Sequence, residues 1–198
     1  AFLLAGGAAP APPPAFHPEA EPTSISTDLR PQFATLGLEP RGQGARPTCS
    51  LFTVAAALEF AFARATGCGE RLSVEYLNWA ANAANGRADD GDFFHCALAG
   101  YERFGICSES CMPYAQEFTA AASAPPDALV DAGRRLGVSG TRLRVRWIRP
   151  YEPGDRGLTQ EQFDEVLRTL AAGAPVAAGS DHSRLLVGYR ADALAPGG

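Results

Sequence analysis

Three residues have the types and the spacing for nucleophilic chemistry at a carbonyl: Gln43, Cys49 and His182. A thiol enzyme needs a cysteine held as thiolate, a histidine to pair with it, and a donor for the oxyanion that forms when sulfur attacks. Cys49 opens an apolar run in which Leu51, Phe52, Val54, Ala55, Leu58, Phe62 and Ala65 recur by threes and fours before Gly67. That spacing predicts a largely buried helix over 49–66 with a glycine cap. In its first turn Cys49 meets unpaired backbone N–H groups and the positive end of the helix dipole, both of which favour the thiolate. Gln43 lies six residues earlier, on a loop broken by Gly42, Gly44 and Pro47. Its amide N–H and the backbone N–H of Cys49 are the two expected oxyanion donors. Each residue alone has an ordinary reading: a cysteine in a buried helix is more often a small hydrophobe, and a lone His182 is a strand-end histidine.

The elements that must hold these residues are marked by caps and breakers. A second helix starts with Ser73 as N-cap and runs through Val74, Leu77 and Trp79, and a third covers about 93–104, with Ala97, Leu98 and Tyr101 inward, and stops at Gly105. After Pro125-Pro126 a short helical piece reaches Leu136. There the pattern changes to alternation, Leu143, Val145 and Trp147 against Arg142, Arg144 and Arg146, which predicts a half-solvated strand with an arginine-lined outer face. Thr159 and Gln162 have capping-box spacing ahead of Phe163, Val166, Leu167 and Leu170; past Gly173, apolar strands are expected at 175–178 and 185–189. Helices therefore precede strands, which is an α+β arrangement. The Ala/Pro-rich stretch 1–27, with Pro12-Pro13-Pro14, shows no helix or strand period and reads as a tail or linker.

The ordered set of motifs resembles the papain-like cysteine peptidases, closest to a divergent bacterial branch. Gln43-Gly44-Ala45-Arg46-Pro47-Thr48-Cys49 matches that family's nucleophile loop in spacing. The family's histidine is expected roughly 130–150 residues downstream, and His182, in Asp181-His182-Ser183-Arg184-Leu185-Leu186-Val187-Gly188-Tyr189, falls 133 residues on. Between them, Leu72-Ser73-Val74-Glu75, Asp90-Gly91-Asp92-Phe93-Phe94, Phe104-Gly105-Ile106 and Met112-Pro113-Tyr114 continue the match, so it covers about 29–189. The resemblance implies a two-lobed α+β fold, with a helical lobe over 28–136 and a reduced antiparallel β lobe over 137–198. It implies peptide-bond hydrolysis, with Cys49 as nucleophile, His182 as acid and base, and Gln43 at the oxyanion. Gly91 is expected to pair with the substrate backbone as an added strand; Asp92, Phe93, Phe94 and Ser183 are expected to line the substrate site.

Departures accompany the match. Ser50 stands where the family has an aromatic residue, Arg46 stands where it has a framework cysteine, and the segment from Pro175 to His182 is short. The Asn-Ser-Trp strand that orients the histidine in the family is absent from the residues after His182. The expectation is a fragment that continues past the turn-like Ala195-Pro196-Gly197-Gly198; the alternatives are an orienter from elsewhere and a decayed site. The same Cys-His chemistry serves an acyl transferase or amidase, and a cleft without a working nucleophile serves as a peptide-binding module.

The resemblance implies a peptide or protein substrate as the partner, and composition sets other partners aside. The 198 residues are 46% hydrophobic and 20% charged, which suits a globular chain with no membrane span. Formal charge is −5 and the 17 basic residues are scattered arginines, so nothing marks a nucleic-acid surface. No cofactor is needed where thiolate and imidazole supply nucleophile and acid. His95, Cys96, Cys107 and Cys111 make a weak zinc set, and disulfides among Cys68, Cys96, Cys107 and Cys111 are expected if the protein is exported. The run Ala1–Leu4, then Ala, Gly and Pro, has the composition of a signal-peptide end. A secreted or periplasmic location is the expectation from that, with the cytoplasm as alternative. Asp89, Asp90 and Asp92 read first as a solvated acidic loop and second as a preference for basic substrates.

Overall fold

The computed structural model describes residues 2–5, 26–119, 124–138, 143–150, 152 and 157–192. The bulk of the expected tail, the expected terminal turn and Arg142 lie outside them. In chain order the elements are β1 (Phe2–Ala5), β2 (Ser26–Asp28), α1 (Arg30–Thr35), α2 (Cys49–Thr66), α3 (Val74–Asn85), α4 (Phe94–Phe104), α5 (Asp127–Val138), β3 (Arg144–Trp147), α6 (Gln160–Ala171), β4 (Val176–Gly179), β5 (Ser183–Leu186) and β6 (Gly188–Arg190).

A helix as apolar as α2 has no face to give to water, and the fold covers it on both sides. Leu51, Val54 and Leu58 pack into a core with Tyr76, Leu77 and Ala80 of α3 and Ala97, Leu98 and Tyr101 of α4. Phe60 and Ala63 join a second core made by Leu29, Phe33, Leu38, the α6 residues Val166 and Leu170, and Val176 of β4. The Phe33 and Phe60 rings stack there at 4.4 Å between centroids. The helix stops at Gly67, whose φ of 76° lets its N–H close on the Ala63 carbonyl. Ser73 caps α3 by accepting from the Tyr76 N–H at 2.9 Å, and Thr159 and Gln162 form the reciprocal capping box of α6.

The sheet has the order β3-β1-β4-β5, with antiparallel neighbours throughout. It packs against α2 through β1, β4 and β5. β1 is a correction to the tail reading, since Phe2–Ala5 pairs with all four residues of β3 and Ser26–Asp28 pairs with β6. A run of four apolar residues is too short to display a period, and its partner lies 139 to 145 residues away. The expected strand 185–189 is divided. Val187 accepts from the Leu29 N–H at 2.7 Å, and β6 leaves β5 to pair with β2. Gly188 permits this, because a Cβ there would lie 2.2 Å from the Thr27 carbonyl oxygen.

Candidate active site

Cys49 is the first residue of α2 and is half-buried. The loop before it is tied to itself. The Gln43 side-chain amide and the Thr48 backbone N–H both donate to the Arg46 carbonyl, each at 2.9 Å. An amide nitrogen carries two hydrogens, so the first bond aims the Gln43 side chain and leaves one hydrogen for another acceptor. Tyr114 closes the loop from outside: its phenol donates to the Gln43 carbonyl at 2.9 Å and accepts from Thr48 Oγ1 at 2.7 Å. Burial pushes the Tyr114 phenol up despite Thr48 and Arg46 beside it, which keeps it a donor.

Arg46 anchors the same loop in the interior. It is 5% exposed, and its guanidinium meets Glu75 at 2.6 Å and Asp90 at 2.7 Å. Burial works against its charge, yet the hydrogen bonds to Asp90 and Glu75 win and hold its pKa above the ordinary arginine value. The acidic run is consequently neither a solvated loop nor a free basic-substrate site: Asp90 belongs to Arg46. The Asp92 side chain, 2% exposed, holds Arg87 at 3.2 Å and accepts from the Phe93 N–H at 2.8 Å. Of the three, Asp89 alone keeps an exposed side chain, with its backbone bonded to the Asn82 amide.

The expected substrate segment lies directly against this loop. Gly91 has φ of 83° and rests on Pro47, where a Cβ would be 2.1 Å from the carbonyl oxygen, so both backbone angle and space require glycine. Ser50 Oγ donates to the Asp92 carbonyl. These contacts use groups that a substrate strand would need. The Gly91 N–H is bonded to Asn78 Oδ1 at 3.1 Å, so an added strand would find that donor occupied. Phe93 is 62% exposed and stacks on His95 at 5.9 Å; Phe94 is half-buried.

His182 arrives from the sheet. The register Gly179 with Ser183 closes the β4–β5 hairpin around Ser180, Asp181 and His182. His182 therefore sits in the turn, one residue short of β5, with an exposed side chain, and Ser183 follows half-buried in β5. The hairpin approaches the substrate segment through Gly179, where a Cβ would be 3.2 Å from the Phe94 ring. Cys49 offers its carbonyl to Thr53 and His182 its carbonyl to Arg184. No hydrogen bond joins the Cys49 thiol to the His182 imidazole among the described residues. Asp181 is engaged elsewhere: the Ser180 hydroxyl at 2.6 Å, above all, lowers its carboxyl pKa. The Gln43–Cys49 loop, Gly91 and Asp92 are thus brought into one contact group, and the hairpin that carries His182 and Ser183 touches Phe94 through Gly179.

The remaining cysteines are placed apart. All five are free thiols, so none of the expected disulfides is formed. Burial, then the Asp92 carboxylate, pushes Cys96 up to about 11; burial, then Cys111, pushes Cys107 up to about 12. Among the described residues no three His, Cys, Asp or Glu side chains converge as metal ligands, so the zinc set does not assemble. Arg46, Glu75 and Tyr114 are the residues whose role the motifs did not expose. The available signals were a charge three residues before Cys49 in a small-residue loop, and Glu75 in the otherwise apolar run Val74-Glu75-Tyr76-Leu77.

No family model matches the sequence, and no curated protein sequence matches it. Among solved structures the fold is similar to that of xylellain, a cysteine protease from Xylella fastidiosa. The TM-score is 0.55 at 16% identity, over 84% of this chain and 70% of that one. Procathepsin L 3 from the Tenebrio molitor larval midgut aligns with a TM-score of 0.47 and 19% identity, over 90% of this chain and 59% of that one. At such identity the xylellain likeness is one of fold: this α+β chain is built like that protease.

Proposed function

We propose that this chain is a thiol-dependent peptidase in which Cys49 is the nucleophile and His182 its acid and base. The observation that carries the reading is the contact group itself. A cysteine begins a buried helix, with a glutamine amide held by the loop before it and Gly91 and Asp92 against that loop, in a fold similar to that of a cysteine protease. The Cys49 thiolate attacks the substrate carbonyl carbon, and the oxyanion takes the second Gln43 amide hydrogen and the Cys49 backbone N–H. His182 as imidazolium gives its proton to the leaving amine, and water then cleaves the thioester with His182 as base. The exposed His182 and the unbonded thiol favour a second reading, a module that binds peptide beside Phe93 without cutting it.

A peptide library and alkylation followed by mass spectrometry separate the two. The expected result is fragments from the wild type, none from Cys49→Ser, and rapid Cys49 labelling that persists to about pH 5 and is lost in His182→Ala. Cys96 and Cys107 are internal controls: thiolate is the reactive form, and their raised pKa values and burial keep both unlabelled at neutral pH. Peptide binding without fragments, with Cys49 labelling only near pH 8.5, establishes the binding module instead.

A further inference from the structure

We propose that Arg46 is a positioning residue that laces the nucleophile loop to the substrate segment and so fixes the distance between Cys49 and the peptide it acts on. The proposal rests on the peptidase reading for what is being positioned.

The lacing runs in register. Arg46 Nε and Nη2 bond the Asp90 carboxylate at 3.1 and 2.7 Å, Pro47 and Thr48 abut the Gly91 α-carbon, and Ser50 donates to the Asp92 carbonyl. Three successive points on one segment thus meet three on the other, on either side of Cys49. Arg46 also reaches two further segments. Nη1 donates to Glu75 Oε2 at 2.6 Å, at the start of α3, and to the Ala115 carbonyl at 2.7 Å, while Nη2 donates to Glu75 Oε1 at 3.3 Å. A guanidinium has five N–H donors in a rigid fork, and every one of its nitrogens is engaged here. The plane lies over Tyr114 at 4.5 Å and faces Phe118 at 5.6 Å, so it is held on its faces as well as its edges.

Lysine keeps the charge but has neither the fork nor the plane. Arg46→Lys therefore tests geometry rather than charge. A shift of about 1 Å in reacting groups costs on the order of 10²-fold in rate. The expected result is a kcat loss of that order with KM less affected, and a Cys49 labelling profile moved toward that of a free thiol. Asp90→Asn, which leaves the Glu75 arm intact, is expected to give a smaller loss of the same kind. Val130→Ala, buried on α5, which packs on α4, serves as a destabilised control with unchanged kcat.

A lowered melting temperature in Arg46→Lys with kcat and the labelling profile unchanged overturns the proposal, as does failure of both Arg46→Lys and Asp90→Asn to fold. If the wild type cuts no peptide, the peptidase reading falls separately. The lacing is then judged by hydrogen exchange: segments 43–49 and 90–92 loosening together in Arg46→Lys supports it, and independent behaviour overturns it.

Discussion

The loop that presents Cys49 and the turn that presents His182 are built by different means. The loop is enclosed: Gln43, Arg46 and Thr48 are bonded to one another and to Tyr114, Glu75 and Asp90, from three other parts of the chain. The turn is open: Ser180, Asp181 and His182 are all exposed, and their bonds are to each other and to Arg184. Local stability follows buried contacts and enclosed hydrogen bonds. One half of the proposed catalytic pair therefore has the rigidity of the core, and the other has that of a three-residue hairpin connection. On the proposed peptidase reading, the difference assigns preorganisation to the thiol side and leaves the imidazole to find its geometry when substrate covers the turn.

The largest effect expected on that contrast comes from Glu59, 1% exposed in the middle of α2. Its carboxylate holds Arg41, two residues before Gln43, at 2.7 Å, Arg71 at 3.2 Å and the Leu72 N–H at 2.8 Å. Burial raises its pKa, while Arg41, the Leu72 N–H and Arg71 pull it the other way. Glu59→Ala leaves the buried Leu72 N–H without its acceptor, while Arg41 and Arg71 are partly exposed and keep Glu109 and Glu39, so the expected cost is about 1–3 kcal/mol. Urea unfolding checks it. A loss below about 1 kcal/mol, the range of exposed pairs, means water already reaches the cluster and the loop is less enclosed than described.

What the sequence makes legible follows the distance over which each feature is specified. The helices α2, α3, α4 and α6 carry their own start and stop signals, Gly67, Ser73, Gly105 and the Thr159–Gln162 box, within a turn of their ends. Gln43 and Cys49 are separated by one loop, so their relation survives in spacing. β1 is specified by β3, and the break at Val187 by Leu29, both far along the chain. Arg46 finds Glu75 29 residues away and Asp90 44 residues away, and no local pattern links three such charges. The acidic run reads as solvated for the same reason: the counter-charge of Asp90 comes from another segment.

A smaller effect tests how the hairpin is held from beneath. α6 places Val166 and Leu170 in the core that contains Val176 of β4. Thr159→Ala removes the hydroxyl that accepts from the Gln162 N–H at 3.2 Å and opens the capping box. The expected cost is about 1 kcal/mol, read by urea unfolding, with hydrogen exchange rising in the first turn of α6. Protection across 43–49 should stay unchanged if the loop owes nothing to the sheet side. A parallel rise there would erase the contrast between the two regions.

The smallest effect on stability is expected at the residue with the largest expected effect on chemistry. The His182 side chain is exposed, and no hydrogen bond holds its imidazole among the described residues. Substitutions at such surface positions stay within about 0.5 kcal/mol of the parent. His182→Ala is thus expected to unfold with the wild type while losing peptide hydrolysis, since the carbonyl that receives Arg184 belongs to the backbone and survives the change. Equilibrium unfolding of the purified variant, beside its rate on the best library peptide, gives both numbers from one preparation. A destabilisation well beyond 1 kcal/mol would mean that the imidazole is packed into the hairpin and that the turn is preorganised after all. The two halves of the site would then be alike in kind, and the exposed position of His182 would no longer be a reason to expect its geometry to be set by the arriving substrate.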